Sequence, residues 1–454
     1  MKINIYNFLI CIVGISLVSC HCQNKENNPV QEYAFNDSHW RIENPDGSVD
    51  SLEIVDYQGR QSILLEPGQK AFLKASEFKD FAVEFHCNGQ VPGFGFRVRD
   101  PKNYEYLYLR MMMSGNRDAL QYTPIHNGNL PWQLYNYPQY EGNATYPRME
   151  VAKIPLSLED QLVNGKASDS LLTALGKKGV VFSEESFVDV PDASPAYIYD
   201  PKSSEALLFE IKEDGIFFLD IRTWVHVKTE VLGNQMSVYI NDMDTPTFVV
   251  EDLKHDAQAG AISLYSNFGE VYFSDFSISK LEGRNTQSTD NDAKQIAPNY
   301  IAQWRMSEMF AKDSVNYRQQ ADSLLKHRDK FKEIRADKDG LVNISRFYDD
   351  MDKTVVLTSK IVSDAEKEVI LNFDYADHLV ILLNSEILFD GGMNFRPPPE
   401  KGTEGRVFVQ DEQTTLKLRK GSNCLAFMLS GDNRQKYNWG CTAKLENLDG
   451  ISLE

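Results

Sequence analysis

Along much of the chain, apolar and polar positions alternate with a period of two. Phe81, Val83, Phe85 and Cys87 alternate with Ala82, Glu84 and His86. Phe94, Phe96 and Val98 alternate with Gly95, Arg97 and Arg99, and Leu107, Leu109 and Met111 with Tyr106, Tyr108 and Arg110. A strand turns successive side chains to opposite faces. Each stretch therefore has one apolar face and one face rich in Arg, Tyr, Glu and His. Further strands are predicted over 206–211, 224–231, 236–240, 261–265 and 271–278. Turn signals punctuate them, among them Asn44-Pro45-Asp46-Gly47, Pro67-Gly68 and Gly233-Asn234. The pattern predicts an all-β fold whose polar strand faces join into one aromatic, charged surface.

Between 147 and 205 the alternation is interrupted. Residues 168–175 have helical spacing stopped by Gly176, and 190–199 read as a Pro-rich loop. This is an insertion, either a lid over the sheet or a surface excursion. The polar stretch 282–299 reads as a linker. A second unit, 300–454, follows: a charged, solvated helix over 317–334, then strands over 355–361, 368–375, 378–383, 415–418 and 423–429. A chain of 454 residues is too long for one core, so the first unit, 35–281, and the second are separate domains.

The N-terminus changes the picture. Lys2 precedes an apolar run over 8–18, too short to span a bilayer. The run ends in Leu17-Val18-Ser19-Cys20, which resembles the lipobox of Bacteroidetes-type lipoproteins. The resemblance implies that 1–19 are a cleaved signal, that Cys20 is lipidated and that 20–34 form a tether. The protein is then expected at the outer membrane, the cell surface or in the periplasm, anchored through lipid. An ordinary signal peptide with an incidental cysteine is the alternative. Among the remaining cysteines, Cys424 and Cys441 fall in one domain, either as a disulfide or as two buried thiols. The net charge of −19 argues against nucleic acid as a partner. It does not exclude an anionic sugar at a local arginine patch, because salt screens distant charge.

Trp224-Val-His-Val-Lys228, Ser237-Val-Tyr-Ile-Asn-Asp242, Gly260-Ala-Ile-Ser-Leu264 and Tyr272-Phe-Ser-Asp-Phe276 resemble the closing half of concanavalin A-like (laminin G-like) jelly rolls. Tyr108-Leu-Arg110, Gln121-Tyr122 and Trp132-Gln-Leu-Tyr135 resemble the bacterial 3-keto-disaccharide hydrolase, or family-16-like, subgroup. In the second unit, the run from Asp377 to Gly391, Leu418 to Leu425 and Trp439-Gly440 resemble galactose-binding-like β-sandwiches. The resemblance implies a carbohydrate-active protein whose partner is an oligosaccharide or polysaccharide. Jelly rolls often carry a structural calcium, for which Asp242, Asp244 and Asp275 are candidate ligands. No other cofactor is expected. No HExxH, GxSxG, phosphate loop or Cys/His metal spacing occurs.

Candidate chemistry concentrates in 94–140. Hydrolysis of a glycoside needs two carboxylates across the scissile bond, and Glu84, Glu105 and Glu141 show no local pairing. The E-x-D-x-x-E motif of family 16 is absent from the first unit. Elimination on a uronic acid needs a cation or amide to neutralise the carboxylate, a base and an acid. Arg97, Arg99, Arg110 and Gln121 suit the first role, His126 the base, and Tyr106 or Tyr108 the acid. Tyr122 and Trp132 complete the substrate-binding set. Alginate-lyase-like jelly rolls use a similar Arg/Gln/His/Tyr set on the concave sheet. The expectation is therefore a lyase or dehydratase acting on uronate-containing oligosaccharides, with a non-catalytic carbohydrate-binding lipoprotein or a glycoside hydrolase as alternatives. Blander roles compete at each position: β-propensity for the tyrosines, cross-strand pairing with Glu84 for Arg97 or Arg99, an ordinary turn for His126. His226 and His378 read as structural.

Overall fold

The computed structural model describes residues 29–74, 77–154, 196–200, 205–281, 296–311, 323, 325–337, 340–393, 405–431 and 438–454. Cys20 and the lipobox, the helix expected over 168–175 and most of the linker lie outside the described residues. Among those described, the architecture is all-β: two β-sandwiches and a smaller four-stranded sheet, every pairing antiparallel.

The period-two stretches become strands because one face of each is needed in a core. Val225–Leu232 is buried at every second residue, as is the first part of Phe81–Gly89. In the first sandwich the back sheet runs Phe248–Val250, Gln235–Ile240, Val225–Leu232, Phe81–Gly89, Val271–Lys280, Arg60–Leu65, Glu53–Tyr57. The front sheet runs Glu141–Gly142, Leu120–Ile125, Asn103–Leu109, Pro92–Asp100, Ala261–Ser266, Lys70–Leu73, Trp40–Glu43, Val49–Asp50. Between them Trp40, Phe81, Phe85, Phe94, Phe96, Leu107, Val227 and Phe273 form one buried cluster. Gln31–Glu32 pairs with Ser277 and Ile278, and Tyr33 is buried, so the sandwich takes in residues expected in the tether.

The insertion carries strands at its ends. Met149–Ile154, Gly215–Asp220, Glu205–Lys212 and Ala196–Asp200 form the four-stranded sheet, so the end of the expected Pro-rich loop is strand instead. In the second sandwich a sheet centred on Lys353–Ser363 and Gly421–Ser430 faces a sheet of Val342–Asn343, Gly440–Leu445, Lys367–Tyr375 and Glu412–Leu418. Of the helix expected over 317–334, residues 317–322 and 324 lie outside the described residues, Ser323 and Leu325 are helical, and the C-terminal part is instead a 3-10 turn at Arg328–Lys330 and a strand at Lys332–Arg335. Ile334 is the buried position of that strand, and Trp304 across the ladder supplies the apolar partner that a solvated helix would lack. Cys424 and Cys441 are free thiols, the first half-buried and the second in the core.

The two sandwiches share a seam. Leu341, Ala376 and Val407 of the second join the apolar core of the first. Gln133 receives a hydrogen bond from Asn438 and donates its backbone N–H to it (2.5 and 2.8 Å), and Asn127 Nδ2 donates to the Ser345 carbonyl at 2.8 Å. Tyr135 donates to Asp337 at 3.1 Å.

Candidate functional site

The register of the front sheet sets its outer face. One row across it reads Gln121, Tyr108, Gly93, Tyr265, Lys70, and the next Thr123, Tyr106, Gly95, Ser263, Phe72. Bulky tyrosines thus flank glycines, and the rings lie down over them. A Cβ on Gly93 would fall within the Tyr106 hydroxyl, and one on Gly95 would sit 2.7 Å from the Tyr265 ring. Tyr104, Tyr106, Tyr108 and Tyr265 pack with ring centroids 5.1 to 5.8 Å apart and are almost wholly buried. Lys70 lies over the Tyr104 and Tyr265 rings (5.9 and 5.2 Å), and Asn267 donates to the Tyr106 hydroxyl.

At the end of this floor nearest the seam lies a charged network. Arg110 Nη2 donates to the Tyr108 hydroxyl at 2.9 Å and to Gln121 Oε1, and Nη1 donates to the Asp118 carbonyl at 2.8 Å. Tyr108 donates to the same Gln121 oxygen at 2.5 Å. The Gln121 amide donates to the carbonyls of Trp132 and Tyr135 at 2.8 and 2.5 Å. Arg406 enters from the second sandwich. Its Nε lies 3.1 Å from both oxygens of Glu141, and its Nη2 lies 2.9 Å from Glu141 and from Asp118. Both carboxylates therefore lie side by side between two guanidiniums, with Arg110 Nη1 3.6 Å from Glu141 and 3.8 Å from Asp118. The half-buried Trp132 ring has Arg406 at 5.2 Å and Arg110 at 5.8 Å. Burial pushes the Tyr108 phenol up to about 12, so it keeps its proton.

Of the residues expected from sequence, Tyr106, Tyr108, Arg110, Gln121 and Trp132 meet on this face. Arg97, Arg99, Tyr122 and His126 do not. At Arg97 the strand bulges: φ is 50° and the register with both neighbours slips nearby. A bulge re-aims side chains. Val98 consequently joins the tyrosines, and the buried Arg97 donates to the carbonyls of Lys79 and Gly233 and pairs with Asp80. Arg99 pairs with Asp256 and not with Glu84. Tyr122 points into the core and donates to Glu105 at 2.7 Å. Burial lifts Glu105 to about 7, offset in part by hydrogen bonds from Tyr122 and the His255 N–H.

His126 sits five residues beyond Gln121, roughly 16 Å along the strand direction. Its ring packs against His255 at 4.2 Å beneath the seam. Burial, with His255 and Arg346 nearby, lowers it to about 2, so it is neutral and a feeble base. Sequence reasoning missed Arg406 and the pairing of Asp118 with Glu141, since no local spacing connects them. His226 stacks on His86 at 4.5 Å on the back sheet, and His378 pairs with Asp390 at 3.0 Å. For calcium, the expected ligands do not gather. Asp242 caps a turn through the N–H groups of Asp244 and Thr245, whereas Asp275 engages Arg60 and His86. Among the described residues no group of three or more His, Cys, Asp or Glu could hold a metal ion, and no helix is long and apolar enough to cross a membrane.

No protein-family model matches the chain, and no curated protein matches it. Solved structures similar to parts of it include carbohydrate binding module CBM66 from Bacillus subtilis, at 12% identity and TM-score 0.27, covering 53% of this chain and 96% of that one. Domain 4 of the arabinanase AbnA from Geobacillus stearothermophilus, in complex with arabinotriose, shows 12% identity and TM-score 0.25 over 53% of this chain and 82% of that one. The exoplasmic/lumenal domain of VIP36 shows 8% identity and TM-score 0.24 over 55% and 89%.

Proposed function

We propose that the protein binds carbohydrate on the front face of its first sandwich, as a lipid-anchored component of polysaccharide breakdown. The observation that carries the reading is the half-buried Trp132 ring beside Arg110 and Arg406, next to the almost wholly buried tyrosine floor. Pyranose rings offer C–H faces to aromatic π clouds and hydroxyls to a polar rim, and binding sites combine an apolar lining with a few fixed polar groups. The test is direct binding of the full chain to a panel of neutral and uronate-containing oligosaccharides by calorimetry. Binding by wild type that is lost in Trp132→Ala supports the reading; no binding across the panel overturns it. The anchor at Cys20 is tested separately, by lipid labelling of wild type against Cys20→Ser.

Elimination on a uronate-containing oligosaccharide is a second reading, favoured by the contact of Tyr108, Arg110 and Gln121. A protonated Tyr108 suits the acid that a leaving oxygen needs. Against it, Arg110 and Gln121 spend their donors on protein acceptors, and His126 lies at the far end of the strand. Binding alone therefore fits the geometry better. Ultraviolet absorbance of a new unsaturated uronate, appearing on incubation with the panel, would reinstate elimination.

A further inference from the structure

Arg406 belongs to the second sandwich yet is 1% exposed inside the rim of the first. Burying a charge costs several kcal/mol unless it is paired, and two carboxylates that pair with it, Glu141 and Asp118, come from the other domain.

The network has a direction. Arg406 holds the two carboxylates from one side. Arg110 reaches the same two only at 3.6 and 3.8 Å, while its Nη2 holds Tyr108 and Gln121. With Arg406 gone, two buried anions would face one cation. The interaction of charges strengthens in a low-dielectric interior, so Arg110 would be drawn off Tyr108 and Gln121. Gln121 in turn fixes the Trp132 carbonyl. The floor and the rim would then loosen together.

We propose that Arg406 is a positioning residue through which docking of the second sandwich orders the ligand surface of the first. It reaches the floor through Asp118 and Glu141, which also face Arg110, and through the Trp132 ring. In its ligand-binding consequence the proposal rests on the carbohydrate reading; in its structural consequence it does not.

The experiment uses the full chain as wild type, Arg406→Met and the double variant Arg406→Met/Glu141→Gln. The double variant removes the stranded anion and leaves Asp118 for Arg110. In the first arm, hydrogen–deuterium exchange is followed over 106–122 and 130–141. The single variant is expected to exchange faster there and the double variant to return toward wild type. A residue that merely filled space would give no such rescue. In the second arm, the oligosaccharide panel is titrated against the same three proteins. The single variant is expected to bind more weakly, in the roughly 5–150-fold range of ordinary coupling between sites, and the double variant to recover. Asn438→Ala, which breaks the seam at Gln133 instead, is expected to leave 106–122 at the wild-type rate. Unchanged exchange in Arg406→Met, or no recovery in the double variant, overturns the proposal. If wild type binds no sugar, the carbohydrate reading fails while the exchange arm still decides the role of Arg406.

Discussion

Arg406 and Glu141, 265 residues apart in sequence, meet in the buried seam with Arg406 donating to both carboxylate oxygens at 2.9 to 3.1 Å. Each is at most 1% exposed. Removing one partner of such a pair leaves the other as an uncompensated buried charge, which costs about 3–5 kcal/mol. Asp118, 2.9 Å from Arg406, still pairs with it, so Glu141→Ala is expected to lose a part of that in denaturant unfolding. Glu141→Gln, which keeps an acceptor, is expected to lose less. Equal stability of Glu141→Ala and wild type would show that the pair contributes nothing.

Glu105 gives a pH dependence with a definite sign. Its folded pKa is raised to about 7 by burial, above its value in the unfolded chain. The folded state therefore holds a proton that the unfolded state has released. This contribution is fully present below the unfolded pKa and is lost as pH rises through about 7. Between about pH 5 and pH 8 wild type should lose of order a few kcal/mol that Glu105→Gln does not lose. The check is chemical denaturation of both proteins at the two pH values. Parallel curves would remove Glu105 as the source.

His126 works in the opposite direction. Its folded pKa is depressed to about 2, chiefly by burial against His255. A buried neutral imidazole contributes stability above the unfolded pKa near ~6.5, and that stability falls away as pH drops below it. His126→Asn should flatten the acid limb of the stability profile, read from melting temperature across a pH series. It should also leave sugar binding unchanged, because the side chain lies away from the tyrosine floor. Loss of binding in this variant, with the fold intact, would return His126 to the site.

The strands were legible because sheet burial imposes a period of two. The stretches from Phe81, Tyr104 and Trp224 all become ladder strands. Tyr106, Tyr108, Arg110 and Gln121 were found for the same reason, since alternation and neighbouring strands put them on one face. Arg97 escaped because alternation cannot show a bulge: one residue at φ 50° reverses the face of everything after it. His126 was misplaced because its closeness to Gln121 in sequence becomes a long separation once the chain is extended. Arg406 was invisible because only tertiary docking brings it to Glu141. No local pattern announces a partner in another domain.

The tyrosine floor makes its own demand on sequence. Gly93 pairs with Tyr108 on one side and Tyr265 on the other, and the Tyr106 ring occupies the space a Cβ would need. Gly93→Ala therefore forces Tyr106 off its seat, and through it Asn267, which donates to its hydroxyl. Overpacking of this kind costs about 1–3 kcal/mol. Trp132 differs, because it is half-buried at the rim and Gln121 holds it by its backbone carbonyl, which any residue keeps. Trp132→Ala should thus retain the folded sheet while weakening sugar binding by roughly tenfold or more, as loss of an aromatic anchor does. Gly93→Ala should lower both stability and binding. Circular dichroism, denaturant midpoints and calorimetric titration on the two variants separate these outcomes. If Trp132→Ala binds as wild type does with its fold intact, Trp132 is not the anchor and the rim takes no part.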